Sequence, residues 1–146
     1  MKSFYLIGLL LVLALAYSKT NPQAIITQAD KQMIRNAAQA CKASEGASDE
    51  DVDVLAEGRM PETQTQKCLF SCVQVQFGLS DGKKFLKEGF LKHSEAIVGS
   101  GEENRRKAEE IAAECEKITN EDRCQLGADI AECIKQGMEK CVSKDA

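Results

Sequence analysis

KCLFSC, residues 67–72, sets Cys68 and Cys72 four residues apart with Leu69, Phe70 and Ser71 between them. Thr63-x-x-Gln66 just before it has the form of a capping box, and Gly78 closes the run, so the stretch sits on a helix. On a helix, residues four apart lie on one face, one turn apart. A disulfide inside one regular turn is badly strained, so each cysteine aims at a different neighbouring element. A zinc site would show paired short Cys/His spacings, and the chain has one histidine. A thioredoxin-type redox pair needs two intervening residues, not three. The stretch therefore reads as two staples leaving one helix.

The compartment agrees with staples. Met1 and Lys2 precede the apolar run Leu6-Ile7-Gly8-Leu9-Leu10-Leu11-Val12-Leu13-Ala14-Leu15-Ala16, followed by Tyr17 and Ser18. This is the form of a secretory signal peptide over residues 1–18, too short and wrongly flanked for a membrane span. One domain is expected over 19–146, secreted, with no stable membrane insertion. Removing residues 1–18 leaves 128 residues and takes Lys2 with it, so the net charge moves from −4 to −5. That acidic balance argues against nucleic acid as a partner. In a secreted chain the seven cysteines, at 41, 68, 72, 115, 124, 133 and 141, read first as disulfides.

The remaining elements also read as helices. Thr27-x-x-Asp30, Ser48-x-x-Asp51, Ser100-x-x-Glu103 and Thr119-x-x-Asp122 each resemble a helix start. Residues 79–82, Leu-Ser-Asp-Gly, form a turn, and a helix is expected over 85–98 with Gly99 past its end. Ala108, Ile111, Ala112, Cys115 and Ile118 recur at spacings of three and four, as do Leu126, Ile130, Cys133, Ile134 and Met138. No segment shows sustained strand alternation. Six helices result. Cys124 and Cys133 are nine apart, about two and a half turns, so they face opposite sides of the last helix. Interlocked staples follow from spacing, while six cysteines leave fifteen connectivities open.

The intervals from Cys41 to Cys133, with 26, 3, 42, 8 and 8 intervening residues, resemble the six-cysteine signature of the insect odorant-binding proteins, the pheromone and general odorant-binding family. The signal peptide, acidity and six helices fit that resemblance. It implies a compact all-α bundle around an internal hydrophobic cavity. It also implies the pairing Cys41–Cys72, Cys68–Cys124 and Cys115–Cys133, which agrees with the helix-face argument. The adjacent Cys-Cys and Cys-X-Cys pairs of plant lipid-transfer proteins are absent, as is saposin-like spacing. Cys141 departs from the family pattern. It is a free thiol, an interchain disulfide linking a homodimer, or part of an altered internal pairing.

The function implied by the resemblance is carriage of small hydrophobic ligands, odorants or pheromones, through aqueous fluid towards an olfactory receptor system. The expected lining is Phe70, Phe77, Phe85, Phe90, Leu126, Ile130 and Ile134. Aromatic rings offer large flat surfaces, and the chain has no Trp whose indole N–H would orient a polar group. The alternatives are a helical interaction protein, joined through Cys141, and a non-olfactory carrier of hydrophobic ligands. No enzyme, cofactor or metal is expected. His93 is the only candidate base and has no nucleophile elbow nearby; it reads as a surface residue or a pH-sensitive gate. Asp49-Glu50-Asp51-Val52-Asp53 resembles a calcium loop but carries Val54 and Met60 where Gly and a bidentate Glu belong. It reads as an acidic first helical turn.

Overall fold

The computed structural model describes residues 27–144, and the expected signal peptide lies outside them. Six helices follow one another: α1 Gln28–Glu45, α2 Asp49–Ala56, α3 Gln64–Gln76, α4 Lys87–Val98, α5 Glu102–Cys115 and α6 Arg123–Lys144. The first three begin where local chemistry dictates. At Thr27, Ser48 and Thr63 the hydroxyl accepts from the backbone N–H three residues on, and that residue's side chain accepts from the cap's own N–H. The bonds from Thr27 to Asp30, and from Ser48 to Asp51, hold both carboxyls below the usual range.

The other three starts differ from the expected pattern because other short-range contacts replace it. Leu86 N–H donates to Leu79 O at 2.9 Å and Ser80 bridges Phe85, so residues 85 and 86 close a hairpin and α4 starts at Lys87. Asp81 holds that turn by accepting from the N–H groups of Lys83 and Lys84, each at 2.8 Å. Ser100 does not cap α5; Gly101 occupies the cap, and Asn104 Nδ2 donates back to Val98 O at 2.8 Å. Thr119 does not cap α6. The Asp122 carboxylate instead accepts from Cys124 N–H at 2.9 Å.

Three disulfides tie these helices. Cys41–Cys72 joins α1 to α3, Cys68–Cys124 joins α3 to α6, and Cys115–Cys133 joins α5 to α6. Their loops span 31, 56 and 18 residues. On the chain-entropy model each closure is worth about 3–4 kcal/mol, though overlapping loops do not add. Helices α2 and α4 carry no cysteine. Helix α3 packs most extensively on α6, and their crossing is unusually close. Cys68 and Cys124 bring their Cα atoms to 4.1 Å, and Gly127 lies against the backbone of Ser71.

The core forms two apolar clusters. One gathers Ala37, Ala38, Cys41, Val52, Leu55, Leu69 and Val73 from α1 to α3. The other gathers Phe85, Phe90, Ala108, Ile111, Ala112, Cys115, Leu126 and Ile130 from the hairpin and α4 to α6. The α3–α6 contact joins the two halves that carry them.

Candidate ligand-binding site

The seven apolar residues expected to line a cavity fall on both sides of that crossing. Phe85, Phe90, Leu126 and Ile130 are buried in the second cluster, with Ile134 packed against it. The Phe85 and Phe90 rings lie tilted with centroids 5.5 Å apart, a favourable aromatic geometry. Phe70 and Phe77 are half-buried and pack against the first cluster. The seven therefore do not form one wall: they divide between the two clusters.

His93 links the groups. From α4 its ring stacks on Phe77 at 5.2 Å between centroids, at the C-terminal end of α3. Burial lowers its pKa below 6.5, outweighing the opposing pull of Asp30 on α1. The ring is therefore neutral at pH 7 and packs as an apolar plate. Met33 on α1 and Ile97 and Val98 on α4 are exposed although apolar.

Two clefts open elsewhere. One of about 870 Å³ runs between α5 and α6, floored by Ile111, Ile118, Cys133 and Cys141. Glu110, Glu114, Lys117, Asp129, Glu132, Lys140 and Lys144 also line it, so a hydrocarbon there would meet charged as well as apolar surface. The other, about 370 Å³, lies between α4 and α5, with Leu91, Val98 and Ala108 among polar neighbours. None of the seven expected residues lines either cleft. Cys141 is half-buried in the larger cleft, packed against the second cluster and unpaired. Among the described residues no cluster of His, Cys, Asp and Glu could hold a metal ion.

Sequence reasoning passed over Gln74. It is 7 % exposed, and its Nε2 donates to Gly127 O at 2.8 Å across the α3–α6 crossing. Its only signal was its spacing: a polar residue four after Phe70 and three before Phe77, on a face it shares with Ser71 and Lys67.

Comparison with known proteins gives this arrangement a family. The PBP/GOBP family model matches residues 23–137. General odorant-binding protein 19d of Drosophila melanogaster is 34% identical over 102 residues, 68% of this chain and 68% of that protein. Among solved structures, the odorant-binding protein dmelOBP28a of Drosophila melanogaster superposes with a TM-score of 0.64 at 24% identity, covering 73% of this chain and 90% of its own. The fatty acid binding protein OBP56a from the oral disk of the blowfly Phormia regina gives 0.63 at 23% identity, covering 78% and 96%. These two likenesses establish the shared fold. Members of the family are carriers of hydrophobic ligands, not enzymes. The chain belongs to the PBP/GOBP family of insect odorant-binding proteins.

Proposed function

We propose that this chain is secreted and carries volatile-sized apolar molecules, such as medium-chain alcohols, aldehydes, esters or terpenoids, through aqueous fluid. The ligand sits between the two apolar groups, with Phe77 on one side and Phe85, Phe90, Leu126, Ile130 and Ile134 on the other. The supporting observation is the division of the interior into two clusters beside α4, a helix that no disulfide ties. The His93–Phe77 stack closes the gap between α4 and α3, and parting it admits a ligand.

The energetics favour micromolar binding. Ten methylenes removed from water give a gross gain of about 8 kcal/mol. Lost translational freedom subtracts several kcal/mol, and contacts with a fitted wall return part of it. A micromolar dissociation constant corresponds to about −8 kcal/mol. Displacement of a fluorescent apolar probe by a homologous alcohol series tests the proposal. Affinity rises with chain length and then falls once the space is full. A series with no displacement, or no dependence on length, would leave a helical interaction protein as the better reading.

A second reading has one specific support. The blowfly protein of like fold is a fatty acid binding protein from the oral disk, so non-olfactory carriage of longer chains fits the same scaffold. Transcript enrichment in antennae favours odorants; enrichment in mouthparts with tighter binding of fatty acids favours the second.

A further inference from the structure

We propose that the cleft between α5 and α6 is a second binding site, on the outer side of the bundle, for amphiphiles with a cationic head, such as long-chain alkylamines. The site is independent of the interior carriage proposed above. Its volume of about 870 Å³ falls within the roughly 300–1,000 Å³ usual for small-molecule sites. Its floor is apolar. Ile111 is 8 % exposed and belongs to the second cluster, so the cleft lies against the outside of that core. Ile118 and Cys133, which also line it, pack on the same cluster. Gly137 adds no side chain, and a Cβ there would stand 2.8 Å from Ile111 Cγ1, so α5 and α6 approach closely along the floor. A surface that is part apolar and part charged suits a molecule with one charged end.

The charges of the cleft select the head group. Lys117 pairs with Glu114 at 2.9 Å, and Glu110 pairs with Arg106 and, at 3.6 Å, with Lys144. Among the described residues neither Asp129 nor Glu132 forms an ion pair with a Lys or Arg. Their oxygens accept from neutral amides instead. Asp129 accepts from Asn120 Nδ2 at 3.1 Å and Gln125 Nε2 at 2.8 Å, and Glu132 accepts from Gln136 Nε2 at 3.2 Å. A spacing of three sets the two carboxylates side by side on α6, with lone pairs left for the three donors of an ammonium. Asp129, Cys133, Gly137 and Cys141 follow at spacings of four, so the acidic end leads onto the apolar floor, about 18 Å from Asp129 to Cys141 at helical rise. Lys140 and Lys144 stand towards the other end and repel an ammonium, which fixes the direction of the ligand. An anionic head would find less there. Lys144 already serves Glu110, and Glu114 is held below the usual carboxylate range by its Lys117 hydrogen bond, with Lys140 contributing.

The test adds decylamine to the disulfide-intact protein, saturated with 1-decanol to fill the interior, and follows the backbone amides by NMR. Shifts are expected along the cleft, at Ala113, Glu114, Glu132, Gln136 and Gly137, and not at Phe77 or Phe90 in the interior. Decanoate should bind the cleft more weakly than decylamine. Two partly exposed ion pairs are together worth about 3–20-fold in affinity. Asp129→Asn with Glu132→Gln should weaken decylamine by that factor and leave displacement of an interior probe by decanol unchanged. Raising the salt concentration should weaken decylamine on wild type too, a measurement that needs no variant. Shifts confined to the interior, decanoate binding the cleft as tightly as decylamine, or an affinity that neither the variant nor salt moves would each overturn the proposal. Cleft shifts with decylamine from a protein whose interior probe decanol fails to displace would overturn the interior carriage and support this site.

Discussion

Gly127→Ala is the sharpest test of the helix crossing that positions Gln74. A Cβ at Gly127 would stand 2.8 Å from Ser71 N and 2.9 Å from both Ser71 Cα and Cβ. Ordinary carbon contacts lie at about 3.5–4.0 Å, so the shortfall is roughly 0.6 Å against atoms that cannot swing away. The Cys68–Cys124 disulfide, three residues along on each helix, resists the separation that would relieve it. Helix propensity alone would favour alanine by about 0.8–1.0 kcal/mol. Overpacking costs about 1–3 kcal/mol, and a strained Gln74–Gly127 bond about 1 more. The net is a loss of about 1–3 kcal/mol, or a melting temperature lower by about 4–12 °C at this chain length. Thermal unfolding followed by circular dichroism, with disulfides intact, measures it. Two other glycines calibrate the scale. Gly137→Ala meets only side-chain atoms of Ile111, at 2.8 Å and beyond, and should be near neutral. Gly89→Ala would set a carbon 1.7 Å from Gly78 O and should be the most damaging. A rise in melting temperature for Gly127→Ala would refute the close crossing.

Cys141→Ser should leave stability within about 1 kcal/mol, since the thiol is half-buried and unpaired and the exchange changes little volume. Wild type and variant should both run as monomers on non-reducing electrophoresis; a dimer band lost in the variant would show an interchain bond instead. His93 gives the pH prediction. Burial lowers its folded pKa below the unfolded 6.5, so the fold prefers the neutral ring. Stability is therefore full above about pH 6.5, declines as pH falls from that value to the folded pKa, and levels off below it. The single histidine makes an NMR titration unambiguous, and a fitted value above 6.5 would contradict the stacked, half-buried placement on Phe77. His93→Gln should lose less stability than wild type between pH 7.5 and 5.5.

The parts of the fold legible in the sequence are those that local chemistry decides. Thr27, Ser48 and Thr63 cap their helices because the hydroxyl and the residue three along satisfy each other wherever the chain goes next. Ser100 and Thr119 carry the same local pattern, yet neighbouring side chains claim their segments first. Asn104 reaches back to Val98, and Asp122 takes over the start of α6. The helix expected from Phe85 starts later because pairing with Ser80 draws the backbone of residue 85 into a hairpin. A three-residue pattern cannot register such competition.

The site was less legible because apolar spacing marks a buried face without naming what it faces. Phe77 and Phe85 are eight residues apart and pack against different clusters, a division made by the hairpin between them rather than by their own chemistry. Glycine inside a helix carried more information than it first conveyed. Gly127 is there because α3 leaves no room for a Cβ, and that closeness brings the Gln74 amide to the Gly127 carbonyl. The same crossing separates a frame from a wall. Helices α1, α3, α5 and α6 are joined by disulfides into one chain of constraints. Helix α4 is held by its packing on α5, by Phe90 in the second cluster and by the His93–Phe77 stack. A carrier must keep its shape between encounters and still open to exchange a ligand. Covalent bonds satisfy the first need in the frame. Contacts that each cost only about 1–3 kcal/mol to break satisfy the second in the wall, and the lower local stability of such elements is what allows them to move.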